Sequence, residues 1–178
     1  MTDLIRPVPG RVTQDFDGAF IAERPGYLRS NVVPAQGKRT PFAGGSFRRD
    51  LHLAIDYDAA VGTGVRAMAA GPIVRQGVDA SSGNAWFVEQ RIHRGPNFDL
   101  YMLYYHLKAN GFKFAKGTVV PQGVVLALSG NTGWSTAPHL HVEMVRLTRG
   151  ASPDTWYSGL RLDPQPFIDG HAHFVNVD

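Results

Sequence analysis

Seven histidines punctuate this sequence, and the spacing of several would let them share one small space. In Leu51-His52-Leu53-Ala54-Ile55-Asp56-Tyr57, apolar side chains alternate with His52, Ala54 and Asp56. The period of two of a β-strand sends Leu51, Leu53 and Ile55 into a core and places His52 and Asp56 on the other face. Along a straight strand those two would sit ~13 Å apart, so a common ligand requires the chain to bend near the small Ala54. His139 and His141 alternate with Leu140 and Val142 and fall ~7 Å apart on one face. By the same rule Tyr104 and His106 share a face, with Leu103, Tyr105 and Leu107 on the other. Imidazoles grouped with a carboxylate suit two kinds of chemistry, holding a divalent metal and moving protons near neutral pH.

Spacing alone does not choose among the histidines. His171-Ala-His173 is a second H-x-H pair, which reads as a solvated chain end, and His93 beside Gly95-Pro96 reads as structural. The sequence has no Cys, so neither disulfides nor thiolate ligands are available. A metal site here must be built from His, Asp or Glu.

The elements that would position these residues are strand-like. Residues 65–69 and 73–78 are short β-prone runs on either side of Gly71-Pro72, which reads as a tight connection. A polar turn at 79–84 precedes the alternating run 85–92, and Arg94-Gly-Pro-Asn97 separates that run from 100–107. Residues 124–128 form another strand, followed by a long loop at 129–138 and a last central strand at 139–147. Strands at this spacing, with turn signals between them, predict an all-β fold of mainly antiparallel sheet with few short helices. Residues 17–50 carry little periodicity and read as a functional loop or local subdomain. Residues 149–162, with Trp156 and Tyr157, look like a surface excursion.

Bulk properties bound the rest. The chain has 178 residues, 43% of them hydrophobic and 19% charged, enough for one buried core and too few to expect two. The expectation is a single domain over 1–178, with its core at about 47–168 and a tail at 169–178. The formal net charge is +3 and the basic residues are scattered, so charge does not decide between an anionic polymer such as teichoic or nucleic acid and no such partner; no nucleic-acid partner is expected. No window approaches a membrane span, and the first ten residues lack the pattern of a signal peptide.

The order H-x-x-x-D, Y-x-H, H-L-H-x-E, carried by His52, Asp56, Tyr104, His106, His139, His141 and Glu143, resembles the lysostaphin-type zinc endopeptidases, also called the LytM domain family. The similarity extends to Gly10-Arg-Val-Thr13, Gly62-Thr-Gly-Val65, Ala67-Met-Ala-Ala-Gly71, Gly83-Asn84, Lys116-Gly-Thr-Val119 and Gln122-Gly123. It is densest at Gly130-Asn-Thr-Gly133 and Ser135-Thr-Ala-Pro-His-Leu-His141, and it ends at Leu162-Asp163-Pro164. The resemblance implies one Zn2+ held by His52, Asp56 and His141, with His139 as base, His106 as its partner in base and oxyanion roles, and the Tyr104 hydroxyl assisting. Glu143 reads as either a carboxylate orienting a ligand imidazole or a solvated side chain. Asn84, Asn131 and Thr132 are the expected substrate-binding residues, and Phe47 and Trp134 could pack against substrate.

The implied function is hydrolysis of peptide bonds in bacterial peptidoglycan, in stems or cross-bridges, by a monomer or as part of a phage or secretion assembly. The competing reading is a catalytically silent domain of the same fold that binds wall or partner. With no signal peptide, release by a holin, delivery by a virion or non-classical secretion would bring the protein to the wall. Two departures from the family pattern are Ala54, where Gly is usual, and a longer segment before His52.

Overall fold

The computed structural model describes residues 4–14, 33–34, 52–151 and 160–168. His171, His173, Phe47, Trp156, Tyr157, the tail at 169–178 and most of the segment at 17–50 lie outside the described residues.

The alternating runs become strands, as the periodicity requires. The strands are β1 (Val12–Gln14), β2 (Val33–Pro34), β3 (Ile55–Asp58), β4 (Gly64–Arg66), β5 (Gly71–Asp79), β6 (Ala85–Arg94), β7 (Phe98–Leu107), β8 (Val119–Val120), β9 (Val125–Leu128), β10 (His139–Thr148) and β11 (Leu160–Leu162). One α-helical turn, α1 (Gln165–Ile168), follows β11. Among the described residues, nine strands form one sheet in the order β1-β3-β10-β7-β6-β5-β8, with β11 beside β10 and β2 beside β11, while β4 and β9 form a separate pair. Every pairing is antiparallel. The expected all-β architecture is the observed one.

One connection differs from expectation. Gly71-Pro72 is the start of β5, paired with Val120 and Val119 of β8, and not a turn between hairpin strands. A Cβ on Gly71 would lie 2.0 Å from the Arg91 carbonyl oxygen, so the glycine permits a close backbone approach that any side chain would block. β4 pairs with β9, and β5 with β6.

The sheet is apolar on both faces. Ile55, Tyr57, Met102, Tyr104, Leu140, Val142 and Met144 join the larger core, together with Val65, Met68 and Leu126 from the layer beneath. Phe87, Tyr101, Leu103, Tyr105, Val145 and Leu147 form a second cluster on the opposite face. Strand β10 therefore sends Leu140 and Val142 into the main core and His141 to the other side, which explains why a strand this apolar carries polar residues at alternate positions. Leu140 and Val142 are fully buried, and truncating Leu140 to Ala would cost about 2–5 kcal/mol.

Candidate metal centre

Three strands and one loop bring the polar side chains together. His141 on β10 lies directly opposite Asp56 on β3 and opposite Tyr105 on β7. The His141 Nδ1 to Asp56 Oδ1 distance is 2.8 Å, and His52 Nε2 lies 3.2 Å from the same oxygen. The strand-length obstacle between His52 and Asp56 is resolved by the chain itself. β3 begins only at Ile55, and the backbone bends at the buried Ala54, so His52 precedes the strand and folds back over it.

His106 reaches the same space by a break in alternation. Val88 pairs with Tyr104 and Trp86 with Leu107, so two residues of β7, Tyr105 and His106, face the single Phe87 of β6 in a bulge. His106 takes φ +58° there, a left-handed conformation uncommon for a residue with a side chain. The bulge turns His106 toward the site, with ring centroids 4.5 Å from His139 and 5.6 Å from His141.

The expected shared face of Tyr104 and His106 is therefore corrected. Tyr104 stays in the main core, where its hydroxyl accepts from the Met68 N–H at 2.9 Å and donates to Gln90 Oε1 at 3.3 Å. Burial pushes its ionisation far above the ordinary tyrosine value. A core hydroxyl satisfied on both sides is not available to stabilise an oxyanion.

The loop after β9 orients both outer imidazoles. His106 Nδ1 lies 2.7 Å from the Thr132 carbonyl oxygen, and His139 Nδ1 lies 2.8 Å from the Ala137 carbonyl oxygen. A carbonyl only accepts, so each ring carries its proton on Nδ1 and keeps its basic lone pair on Nε2. His139 Nε2 lies 3.7 Å from Asp56 Oδ2. Ser135 Oγ sits 3.1 Å from His139 Nδ1 and donates to Asn131 Oδ1 at 2.6 Å. The Thr132 hydroxyl accepts from Trp86 N and donates to the Leu107 carbonyl. Gly133, with φ +76°, packs where a Cβ would lie 2.5 Å from both the Ala85 Cβ and the Ser82 oxygen. Asn131 and Thr132, expected as substrate contacts, here brace the loop. Asn84 is exposed in the turn before β6 at φ +65°, and Trp134 is exposed over Gly83.

A second carboxylate stands behind His141. Glu143 Oε1 lies 3.2 Å from His141 Nε2, and Glu143 Oε2 accepts from Arg161 Nε at 2.6 Å. Glu143 is thus buried against the ligand-like imidazole and not solvated. Sequence reading missed Arg161 as a part of this site, and it placed Ser135 in a candidate groove wall without giving it His139 as a neighbour. For Ser135, its place four residues before His139 was the available signal.

The electrostatics follow from these contacts. Burial alone would raise the Asp56 carboxyl, but the hydrogen bonds and charges of His141 and His52 outweigh it and hold Asp56 well below the usual carboxylate range. Burial, reinforced by neighbouring His141, pulls His106 down to about 4 despite its bond to Thr132. For His141 burial acts downward, yet Asp56 and Glu143 together raise it. His93 lies at the far end of β6, its ring 5.6 Å from that of Phe98.

Two sets of donors lie close enough to hold one ion, His52 with Asp56 and His141, and His106 with His139 and His141. Zinc bonds of ~2.0–2.1 Å in a tetrahedron put donor atoms about 3.3 Å apart. The 2.8 and 3.2 Å spacings around Asp56 Oδ1 come close to that, and this set also brings a carboxylate whose charge offsets a dication. The residues present therefore fit a zinc ion.

The chain is similar to known peptidases. Residues 50–154 match the family model for Peptidase family M23. The chain is 35% identical over 128 residues to the glycyl-glycine endopeptidase ALE-1 of Staphylococcus capitis, covering 70% of this chain and 31% of that protein. It is 38% identical over 138 residues to the DD-carboxypeptidase/endopeptidase Mpg of Neisseria meningitidis, covering 72% and 29%. The chain thus spans about a third of the length of these relatives. The catalytic domain of the antimicrobial peptidase lysostaphin from Staphylococcus simulans superposes with a TM-score of 0.53 at 30% identity, covering 68% of this chain and 82% of that one.

Proposed function

The chain belongs to Peptidase family M23, and on that premise we propose that it is a zinc-dependent endopeptidase of bacterial peptidoglycan, its metal held by His52, Asp56 and His141. One observation carries the reading. Four imidazoles and a carboxylate surround one space, three of them with donor atoms spaced for a metal and two with basic nitrogens left over.

Zinc held by these three residues would polarise the scissile carbonyl and bring the pKa of a water molecule at the site to about 7. His139 Nε2 accepts the proton of the attacking water, because its Nδ1–H is already given to Ala137. The protonated ring then returns that proton to the leaving amine nitrogen as the C–N bond breaks. His106 is kept neutral by burial and uses its Nε2 lone pair to orient the water. With Nδ1–H committed to Thr132, neutral His106 has no N–H left for an oxyanion, so its role is on the base side of the reaction. Tyr104 supports β7 from the core.

The relatives' names point to peptide bonds as the target. One is named for glycyl-glycine bonds and another for DD-peptidase activity. Asn84 and Trp134, exposed near the loop that holds both bases, are the proposed substrate contacts at the rim. Work at the bacterial wall follows from that substrate. Among the described residues no helix is long and apolar enough to cross a membrane.

The test is release of new amino termini from purified peptidoglycan of several chemotypes. Activity should vanish with chelator, return with zinc, and be lost in His139→Ala. A protein that binds zinc yet releases nothing from any wall would instead be a silent binding domain.

A further inference from the structure

Arg161 lies beyond residues 50–154, the part that matches the family. It is nonetheless 5% exposed and donates through Nε to Glu143 Oε2 at 2.6 Å. The other Glu143 oxygen meets His141 Nε2 at 3.2 Å, and His141 Nδ1 faces Asp56 at 2.8 Å. Four side chains thus run in a line from β11 to the proposed ligand set.

We propose that Arg161 is a positioning residue of the metal centre, acting through Glu143 to fix which nitrogen of His141 is presented to the ion. The inference rests on the zinc reading above. Its physical basis is a problem of symmetry. An imidazole has two nitrogens, and it ligates reliably through one only when the other is held as a donor by a neighbouring acceptor. Glu143 supplies that acceptor, and the direction of its carboxylate decides whether an oxygen meets the ring. Arg161 takes one oxygen and leaves the other aimed at His141. Its charge also balances Glu143, so the carboxylate acts on His141 without adding an uncompensated buried charge.

The backbone supports this placement. Val145 of β10 pairs with Arg161 on one side, and Val33 of β2 pairs with it on the other. β11 is therefore held by ladders on both edges, and the Arg161 stem has a defined origin. A pair present only to hold the fold would have no need to direct a carboxylate oxygen onto a ring nitrogen. Buried ion pairs are in any case poor sources of net stability.

The experiment measures zinc affinity by competition with a chromophoric chelator, and the visible absorption spectrum of the cobalt(II)-substituted protein. The variants are Arg161→Met, Arg161→Lys and the double variant Glu143→Gln/Arg161→Met, each checked for fold by near-UV circular dichroism. Arg161→Met should weaken zinc binding ~10–100-fold and alter the cobalt bands, and Arg161→Lys should recover part of the loss. Should Arg161→Met fail to fold, the double variant carries the test, because it removes both charges of the pair. The amide it places beside His141 lacks the Arg161 donor that fixes its direction, so zinc binding should still be weakened. Folded variants that bind zinc within threefold of wild type, with an unchanged cobalt spectrum, would overturn the proposal while leaving the zinc reading standing. A wild-type protein that binds no zinc would overturn both.

Discussion

His106 and His139 hang from the same loop, each giving its Nδ1–H to a main-chain carbonyl of that loop, Thr132 for one and Ala137 for the other. Their rings lie 4.5 Å apart, and both keep a basic Nε2. The two proposed bases are oriented by one element and should behave as one functional unit.

Replacing either with Ala should lower kcat/KM on a muropeptide substrate by about 10²–10⁴-fold. Residues that act together lose far less in combination than the product of the single losses. The double variant should therefore fall close to the worse single variant, with zinc content unchanged by elemental analysis. Fully multiplicative losses, or loss of zinc in either single variant, would argue against this pairing.

The His106 ring should be neutral and protonated on Nδ1 throughout the working pH range. Burial disfavours its cation, so its folded pKa of about 4 lies below the value of about 6.5 for an unfolded chain. Between those values the unfolded chain takes up a proton that the folded one refuses, so this group's contribution to stability is lost as pH falls from 6.5 toward 4. Long-range proton–nitrogen correlation spectra of the metal-free protein report both points. A His106 ring titrating near 6.5, or protonated on Nε2, would contradict the structure.

Zinc should stabilise the protein through the Asp56 set. An ion bound only by the folded state at 1,000 times its Kd adds about 4 kcal/mol, which for a chain of this size raises Tm by roughly 10 °C. Chelator should remove that increment, and His52→Ala should show little of it. Equal melting with and without zinc would count against the site, and an undiminished shift in His52→Ala would point to the alternative His106–His139–His141 set.

Tyr104→Phe separates the core reading of this hydroxyl from a catalytic one. Deleting it strands the buried Met68 N–H, at a cost of about 1–3 kcal/mol in unfolding free energy. Turnover per folded molecule should stay within a few-fold of wild type. A hundredfold loss of kcat at unchanged stability would restore the tyrosine to the mechanism.

Local periodicity made much of this legible. The pairing of β5, β6 and β7 follows from alternation and turn residues. The shared face of His139 and His141 was equally plain, because β10 is regular there. His52 and Asp56 were harder, since the bend at Ala54 leaves strand geometry and no composition rule marks it. The Tyr104 face was misread because a bulge at His106 shifts the alternation by one, and a histidine at positive φ gives no sequence signal. Arg161 escaped notice because its partner Glu143 is brought near by strand pairing across 18 positions.

The carbonyls that hold His106 and His139 belong to the main chain, so their orientation does not depend on which side chains the loop displays. Trp134 and Thr136 are exposed on that loop and could be exchanged without retuning either imidazole. The architecture thereby separates what cuts from what chooses. On the proposed function, a chain built this way is free to drift toward new wall chemistries through a few rim positions, while its proton-transfer apparatus stays as it was.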